Sequence, residues 1–259
     1  MKCVIFAGGK GNRIRTYNDD TPKPLITIGD EPIIWHIMRI YYSYGIKEFV
    51  ICLGYKQERF KQYFLDMFNY KKDFELSFGE NKIEILNDYM EDIKVSLIDT
   101  GLETQTGGRL KRVEKYLGDD DIFLLTYGDA VSDIDINDLI DFHKRNNKKV
   151  TITTVKKKER FGIIDIDNNS VITSFREKPD KEANNINAGF MVVNKEVLND
   201  LNEDSLSFEK EILERYGNIG EVAAYVHDGF WQCMDYQSER EYLNRLIKEN
   251  NAPWIRWEK

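Results

Sequence analysis

Residues 3–15 read CVIFAGGKGNRIR, an apolar run that leads directly into a glycine-rich segment. Cys3–Ala7 has the length and the continuous apolar character of a strand that is buried on both faces. The glycines that follow allow the backbone to approach a ligand closely and to adopt positive φ, so that successive amide groups can point at phosphate oxygens. The sequence therefore predicts a buried strand followed by a phosphate-binding loop.

The basic residues and the glycine spacing of this loop distinguish between the known types of nucleotide-binding loop. Lys10, Arg13 and Arg15 add positive charge to a segment that is already rich in amide donors. The dinucleotide fingerprint G-x-G-x-x-G is broken because Ile14 stands where the third glycine belongs, and the Walker sequence is absent. A dehydrogenase is therefore disfavoured, and a tight turn with solvated basic residues is the alternative to phosphate binding.

Apolar periodicity along the chain indicates an α/β protein. Short apolar strands are predicted at Phe49–Leu53 and Ile122–Leu125. Helical spacing relates Ile34, Ile37, Met38 and Tyr41; Phe60, Phe64 and Phe68; Leu110, Val113 and Leu117; and Ile136, Leu139, Ile140 and His143; a last helix is predicted at about 237–249. Alternating strands and amphipathic helices are typical of a parallel sheet that is covered on both faces.

Two stretches suggest antiparallel additions to this sheet. Ile163–Asp167 and Val171–Phe175 follow an alternating segment at Val150–Val155 and predict strand, turn and strand. Residues 79–98 predict an insertion in which Lys82–Leu86 pairs with Lys94–Ile98. Because no linker interrupts the chain, we expect one domain over 1–259, with 1–150 mainly binding nucleotide and 151–259 mainly binding the acceptor and completing a metal site.

Composition sets limits on partners and location. The 259 residues include 37 Lys plus Arg and 45 Asp plus Glu, a net charge of −8. A net negative chain without a basic block argues against nucleic acid or anionic lipid as the main partner. No apolar run is long enough for a membrane helix or a signal peptide. Cys3, Cys52 and Cys233 have no pairing or metal pattern, which favours reduced cysteines and a cytoplasmic location.

Three charged residues far apart in the chain are candidates for one site. Lys23 lies between two prolines in Thr21–Leu25, which hold its backbone stiffly. Asp129 ends a predicted buried strand, where ligands of open parallel sheets bind, and Asp235 follows an aromatic stretch. Since carboxylates repel phosphates unless a metal lies between them, Asp129 and Asp235 are predicted to bind Mg²⁺. A rigid surface turn and solvated acids are the alternative interpretation.

Other motifs allow weaker assignments. Glu177 and Lys178 end a predicted strand and either form an exposed ion pair or bind the hydroxyls and phosphate of a second substrate. Residues 106–109, TGGR, begin a helix whose amides either meet a base or phosphate or form an ordinary cap. His36 and His143 lie in amphipathic helices and are predicted to be structural. His227 has no evident Ser or Cys partner, so no covalent nucleophile is predicted.

The motifs, taken in order, form the pattern of a known family. They are FAGGKGNRI, TPKPL, PIIWHIM, TGGRLKR, LTYGDAVSD, RFGIIDI, FREKP, INAGFMVV, GFWQCMD and APWIRW. Over essentially its whole length the chain resembles the glucose-1-phosphate cytidylyltransferases, within the sugar-nucleotide pyrophosphorylases. The resemblance implies a Rossmann-like nucleotidyltransferase fold, with a mixed, mostly parallel sheet flanked by helices and with antiparallel β insertions.

The resemblance also implies a reaction and its residues. CTP and a sugar 1-phosphate, glucose 1-phosphate first among them, would give a CDP-sugar and pyrophosphate for surface polysaccharide. Arg13, Lys23, Asp129, Lys178 and Asp235 would be catalytic, with Mg²⁺ on Asp129 and Asp235. Substrates would contact Ala7, Gly8, Gly9, Lys10, Gly11, Asn12, Thr104, Arg109, Gly128, Glu177 and Asn187. The relatives assemble as homo-oligomers, and the Trp254/Trp257 tail would pack between subunits or against its own subunit.

Two alternatives remain open at this point. The chain has Ala130 after Gly128-Asp129, Ala188 after Asn187, and Tyr236 after Asp235, where the family usually reads GDG, NGG and a threonine. These differences lie on the acceptor side and allow a different phosphorylated acceptor, such as another sugar phosphate or a phosphorylated amino acid. A regulatory module that binds CTP without turnover is the second alternative.

Overall fold

The computed structural model describes residues 1–9, 21–88, 92–158, 163–166, 172–176 and 183–257. The strands are β1 (Cys3–Phe6), β2 (Thr27–Ile28), β3 (Glu31–Pro32), β4 (Glu48–Leu53), β5 (Lys72–Ser77), β6 (Lys82–Asp88), β7 (Lys94–Asp99), β8 (Ile122–Tyr127), β9 (Ala130–Ser132), β10 (Val150–Lys158), β11 (Ile163–Ile166), β12 (Ile172–Arg176), β13 (Ala183–Asn194), β14 (Val222–Val226) and β15 (Trp231–Cys233). The α-helices are α1 (Ile33–Tyr42), α2 (Gln57–Tyr70), α3 (Thr106–Val113), α4 (Ile136–Asn146), α5 (Arg215–Asn218) and α6 (Gln237–Lys248). Short 3₁₀ turns occur at Lys23–Leu25, Glu114–Tyr116 and Lys195–Asp200, and a π-helical turn at Glu209–Glu214 precedes α5.

A seven-stranded sheet in the order β14-β10-β13-β8-β1-β4-β7 forms the centre of the fold. β1 pairs in parallel with both β8 and β4, and β4 with β7 and β10 with β14 are also parallel. β13 runs antiparallel to both of its neighbours. The predicted α/β class with a mixed, mostly parallel sheet is therefore confirmed. The carboxyl ends of β1, β4 and β8 lie side by side at one edge.

The first strand supplies side chains to both layers of the core. Cys3 and Ile5 pack in the cluster that contains the buried residues of α1, whereas Val4 and Phe6 pack in the cluster that contains those of α3. This alternation is the period of two that a strand imposes. At about 2 kcal/mol for each fully buried apolar side chain, burial on both faces fixes β1 at the centre of the sheet.

The helices follow the predicted apolar spacing, and local signals set their bounds. α1 begins directly after Pro32, whose fixed φ suits a helix start. In α4 the Asp135 side chain accepts a hydrogen bond from the amide of Asp138 at 3.0 Å, and the helix ends at Asn147 in the left-handed conformation. In the described part of the chain, every helix is too short or too polar to cross a lipid bilayer.

The antiparallel segments were predicted correctly in one place and wrongly in another. β11 and β12 pair antiparallel, as expected. β6 does not pair with β7: it forms a hairpin with β5, and β7 joins β4 in parallel as the edge of the main sheet. In β7, Val95 and Leu97 pack against the core cluster that contains α1, and Ile98 packs against the other cluster. The prediction was wrong because a pattern of apolar residues does not identify the strand that pairs with it.

The C-terminal tail packs against its own subunit through His36. The indole ring of Trp254 is buried and stacks on Phe230 with 5.3 Å between ring centroids. Its Nε1–H donates to His36 Nδ1 at 3.3 Å, which leaves the hydrogen on His36 Nε2 to be donated to the carbonyl of Ile28 at 3.0 Å. Burial lowers the pKa of His36, the carbonyl bond opposes that shift only in part, and the neutral ring is the one that fits.

This histidine gives a prediction about pH and stability. Because its pKa is lower in the folded state than the unfolded value of about 6.5, the unfolded chain takes up the proton first, and stability is lost as pH falls below about 6.5. We expect the midpoint of thermal unfolding to fall between pH 7.5 and pH 5.5. The fall should be smaller in His36→Gln, which should also be less stable at pH 7.5. An equal fall in both proteins would contradict this role for His36.

Candidate active site

A cavity of about 490 Å³ opens at the carboxyl end of β1 and β8. The predicted residues that line it are Ala7, Gly8, Gly9, Lys23, Thr104, Arg109, Gly128 and Asp129. They come from the loop after β1, the 3₁₀ turn at Lys23–Leu25, the segment before α3 and the end of β8. The structure thus brings the described parts of the predicted nucleotide site to one place.

Strand pairing brings together the two carboxylates that were predicted as metal ligands. β9 and β15 run antiparallel, with Ala130 opposite Cys233, so Asp129, just before one strand, neighbours Asp235, just after the other. The amide of Met234 donates to the carbonyl of Asp129 at 2.9 Å. The amide of Asp235 donates to Oε2 of Glu239 at 2.6 Å, which fixes this residue to the first turn of α6.

Lys23 lies between these carboxylates. Its Nζ donates to Asp129 Oδ2 and to Asp235 Oδ1, each at 2.6 Å. Burial opposes the charged form of Lys23, but Asp129 and then Asp235 more than offset this and raise the pKa of the ammonium group. The two carboxylates already hold one cation, the ammonium group of Lys23, at hydrogen-bonding distance. This arrangement of oxygens therefore suits a positively charged ligand. Two carboxylates together with substrate phosphates are also a common ligand set for Mg²⁺.

Gly128 allows this arrangement through close packing. A Cβ atom at this position would lie 2.9 Å from the carbonyl oxygen of Phe6 and 3.0 Å from Cγ of Pro24. Pro24 is buried and directly follows Lys23 in the 3₁₀ turn. The missing side chain therefore lets the turn with Lys23 approach the strand end with Asp129.

We expect Gly128→Ala to reduce activity more than stability. The added methyl group should push the Lys23–Leu25 turn away from Asp129, and a displacement of about 1 Å at a reacting centre can lower the rate about 100-fold. The cost in unfolding free energy should be about 1–3 kcal/mol, as for other overpacked sites. Steady-state turnover and urea unfolding measure the two effects, and unchanged turnover would contradict this packing role.

Arg109 lines the cavity, but its guanidinium is used to hold the surrounding loops. Nη1 donates to the carbonyls of Leu53 and Gly101 at 3.0 and 2.8 Å and to Thr100 Oγ1 at 2.8 Å. Nη2 donates to the carbonyl of Gly8 at 3.4 Å. The side chain is buried, which lowers the pKa of the guanidinium. Arg109 therefore fixes the backbone at the ends of β1, β4 and β7, a role that the sequence analysis did not predict.

The N-terminus of α3 is capped by a backbone carbonyl from another part of the chain. The amides of Gly107 and Gly108 donate to the carbonyl of Leu206 at 2.9 and 3.3 Å. Both amides already donate to an acceptor within the protein. The structure therefore shows the ordinary cap and not the phosphate site that was the other interpretation of this motif. Thr104, one turn earlier, is buried and remains part of the cavity lining.

Tyr127, which lines the cavity, forms a hydrogen-bonded pair with Glu209 that was not predicted from the sequence. The hydroxyl of Tyr127 donates to Glu209 Oε1 at 2.7 Å, and the hydroxyls of Thr106 and Ser207 donate to Oε2 at 2.5 and 2.7 Å. Burial disfavours the Glu209 carboxylate, but these three donors together lower its pKa. Burial and the neighbouring carboxylate raise the pKa of Tyr127. Tyr127 comes two residues before Asp129. Its position at the end of a predicted strand was the only feature of the sequence that pointed to a place near the site.

Among the other predicted residues, the structure describes Asn187. Asn187 is exposed on β13, where its Oδ1 accepts from the amide of Gly189 at 2.9 Å, and it hydrogen-bonds Tyr127. Lys10, Gly11, Asn12, Arg13, Glu177 and Lys178 lie outside the described residues.

His227 does have a serine neighbour, which the sequence analysis did not foresee. Ser132 Oγ lies 3.2 Å from His227 Nε2, and Asp133 Oδ1 lies 2.9 Å from the same nitrogen. The serine hydroxyl donates to the carbonyl of Phe230 at 2.8 Å. A catalytic triad needs the acid and the nucleophile on different ring nitrogens, so this cluster is not one.

Comparison with known proteins identifies the family of the chain. The family model described as nucleotidyl transferase matches residues 2–235. The glucose-1-phosphate cytidylyltransferases of Salmonella typhi and Salmonella typhimurium are each 44% identical over 258 residues, covering 100% of this chain and 100% of theirs. The crystal structure of HddC from Yersinia pseudotuberculosis superposes with a TM-score of 0.71 at 22% identity, covering 95% of this chain and 99% of that one. The chain is an enzyme of the nucleotidyl transferase family and belongs, within it, to the glucose-1-phosphate cytidylyltransferases.

Proposed function

We propose that the protein transfers CMP from CTP to α-D-glucose 1-phosphate and produces CDP-glucose and pyrophosphate. The observation that carries the proposal is that Lys23 and Asp129, which line the cavity after β1, form one cluster with Asp235. The 44% identity to the Salmonella enzymes over the whole chain supports the choice of CTP and glucose 1-phosphate.

In the proposed reaction a phosphate oxygen of the acceptor attacks the α-phosphorus of CTP in line. The bond from that phosphorus to the β-phosphate oxygen breaks, and pyrophosphate leaves with the electron pair. Positioning and charge neutralisation are the main tasks of the protein. Lys23 neutralises charge on the triphosphate, and the loop from Ala7 onward with Arg13 holds the nucleotide. Lys178 holds the acceptor phosphate, with Glu177 and Asn187 on the sugar side.

A divalent metal, Mg²⁺ in this proposal, fits the acidic pair. Asp129 and Asp235 would hold the ion together with phosphate oxygens of the substrate. A bound ion would polarise the phosphoryl group as a Lewis acid. The ammonium group of Lys23 lies between these carboxylates, so it would have to turn toward the triphosphate when an ion binds.

The proposal also covers the setting of the enzyme. It includes a cytoplasmic location, synthesis of a sugar nucleotide for surface polysaccharide, and assembly from identical subunits. The division of one domain at about residue 150 into nucleotide and acceptor parts stays a prediction, although the seven-stranded sheet takes β10, β13 and β14 from the second part.

Pyrophosphate release tests the proposal. The purified chain is assayed with Mg²⁺, each of CTP, UTP, dTTP and GTP, and a panel of sugar phosphates and phosphorylated amino acids. We expect release with CTP and glucose 1-phosphate above every other pair. Faster release with another acceptor would replace glucose 1-phosphate. CTP binding without release on any acceptor would support a regulatory module instead.

The variant Lys178→Ala tests which of the two substrates Lys178 binds. If Lys178 grips the acceptor phosphate, we expect the KM for glucose 1-phosphate to rise at least about tenfold, the effect of losing one charge-assisted hydrogen bond, while the KM for CTP changes little. Lys156→Ala, which removes an exposed lysine of β10, is the matched control. A rise confined to the KM for CTP would assign Lys178 to the nucleotide.

A further inference from the structure

Glu209 is a half-buried carboxylate that is held by hydroxyl groups instead of a cation. Tyr127, Thr106 and Ser207 donate to it, and among the described residues no lysine, arginine or histidine lies within ion-pair distance of it. Burying a charged group costs free energy unless it is well hydrogen-bonded. Because apolar side chains of similar shape could replace such a cluster with little loss of stability, we infer that the cluster serves to place the groups bonded to Glu209.

The hydrogen bonds to Glu209 join separate parts of the chain at the cavity. Tyr127 ends β8 and Thr106 begins α3, and both line the cavity. Glu209 begins the π-helical turn, and the amide of Phe208 donates to Thr106 Oγ1 at 2.9 Å, so the turn and α3 are bonded twice. Hydrogen bonds to an ionised carboxylate are shorter and stronger than those between neutral groups. Glu209 therefore fixes the direction of the Tyr127 hydroxyl.

The Tyr127 hydroxyl has a single hydrogen, and that hydrogen is donated to Glu209. Asn187 of β13 also hydrogen-bonds this hydroxyl. Because the hydrogen points to Glu209, the hydroxyl oxygen must accept and the side-chain amide of Asn187 must donate. Asn187 Oδ1 accepts from the amide of Gly189 at 2.9 Å, which agrees with this orientation. The orientation of the Asn187 side chain is thereby set by Glu209 through Tyr127.

This chain of hydrogen bonds leaves one N–H group of Asn187 for a ligand. An asparagine side chain has two N–H donors. One is used on Tyr127, and among the described residues the other has no acceptor. Asn187 is exposed, and Tyr127 lines the cavity two positions before Asp129. The second N–H group therefore suits an oxygen atom of a ligand that binds beside Asp129, such as a sugar hydroxyl.

The same stretch of β13 is also fixed by packing. A Cβ atom at Gly189, which has a φ of +86°, would lie 2.7 Å from Cδ2 of Tyr127, so the tyrosine ring packs directly on this backbone. The Nε1–H of Trp231 donates to the carbonyl of Ala188 at 2.8 Å. Trp231 belongs to β15, the strand that leads to Asp235. This stretch is thus joined to both of the strands that lead to the two acids.

We propose that Tyr127 is a positioning residue for the acceptor, and that Glu209 and Tyr127 together orient the side-chain amide of Asn187 toward a hydroxyl group of the sugar phosphate. The proposal rests on the proposed function, in which Asn187 lies on the sugar side. It adds two residues that act through Asn187 and need not touch the substrate. Their loss should therefore affect the acceptor and not the nucleotide.

The variant Tyr127→Phe keeps the ring and removes the hydroxyl group. With the nucleotide and acceptor that release pyrophosphate fastest, we expect the KM for the acceptor to rise about three- to tenfold, the effect of one hydrogen bond, while the KM for the nucleotide changes little. Tyr216→Phe is the matched control, because Tyr216 donates to Asp200 Oδ2 at 2.6 Å outside the described lining of the cavity. It should leave both KM values unchanged. A rise confined to the nucleotide would overturn the proposal.

A double-mutant cycle tests whether Tyr127 acts through Asn187. Asn187→Ala should raise the KM for the acceptor at least as much as Tyr127→Phe, and the double variant should resemble Asn187→Ala alone. Effects that multiply in the double variant would overturn the role of Asn187 as the link. Glu209→Ala should have the same effect as Tyr127→Phe, and Glu209→Gln, which keeps an acceptor oxygen, should have a smaller one.

Calorimetric titration with glucose 1-phosphate repeats the comparison without turnover. Weaker binding in Tyr127→Phe than in the wild type, with no pyrophosphate released by either, would support the positioning role and overturn the proposed reaction. Release by the wild type, with the same acceptor KM in Tyr127→Phe, would overturn the positioning role and leave the proposed reaction standing. A wild type that neither binds a sugar phosphate nor releases pyrophosphate would overturn both.

Discussion

Asp129→Asn is expected to lower the rate of CDP-glucose formation at least about 100-fold, a loss like that of other charged groups that act in the transition state. The substitution keeps the size of the side chain and removes the charge that would hold a divalent ion. The substitution also breaks the ion pair between Asp129 and Lys23. Because the Asp129 side chain is 33% exposed, the loss of unfolding free energy should be at most about 1 kcal/mol. Pyrophosphate release and urea unfolding measure the two effects.

A matched substitution separates metal binding from general loss of charge. Asp119→Asn removes a carboxylate at an exposed position before β8 and should leave turnover unchanged. Binding of Mn²⁺ in the presence of CTP should weaken in Asp129→Asn and stay the same in Asp119→Asn. Turnover at the wild-type rate in Asp129→Asn would remove Asp129 from the metal site.

The site could be predicted because its parts lie where simple rules place them. β1 and β8 are continuous apolar runs, and the carboxyl ends of parallel strands share one edge, so the loop after Cys3–Phe6 and Asp129 had to be neighbours. Asp235 was harder, since the pairing of β15 with β9 joins short strands about one hundred residues apart. It was predicted because an acid follows an aromatic stretch in a segment that the resemblance covers.

The features that were missed depend on contacts that leave no local pattern. Arg109 binds backbone carbonyls, and every residue has one, so no residue type marks its partners. Tyr127 and Glu209 are 82 positions apart, and only the tertiary fold brings them together. The hairpin partner of β6 was wrong because alternation reports that one face is covered and not which strand lies beside it.

Lys23→Met should lower turnover by about 100- to 1000-fold, since it removes a fixed positive charge beside the reacting phosphates. Methionine fills a similar volume and cannot neutralise charge. Lys23→Arg should restore little of the turnover, because the planar guanidinium differs in shape and donor geometry from the ammonium group that fits between Asp129 and Asp235. Full activity in Lys23→Arg would mean that only the charge at this position matters.

The same variant should have an opposite effect on metal binding in the absence of nucleotide. In the wild type an ion must displace the ammonium group, which lies 2.6 Å from an oxygen of each carboxylate. Lys23→Met removes the cation that competes with the ion for these carboxylates, so it should bind Mn²⁺ more tightly than the wild type although it turns over more slowly. Titration followed by Mn²⁺ electron paramagnetic resonance measures this affinity. Weaker binding in Lys23→Met would mean that Lys23 holds the carboxylates in place for the ion instead of competing with it.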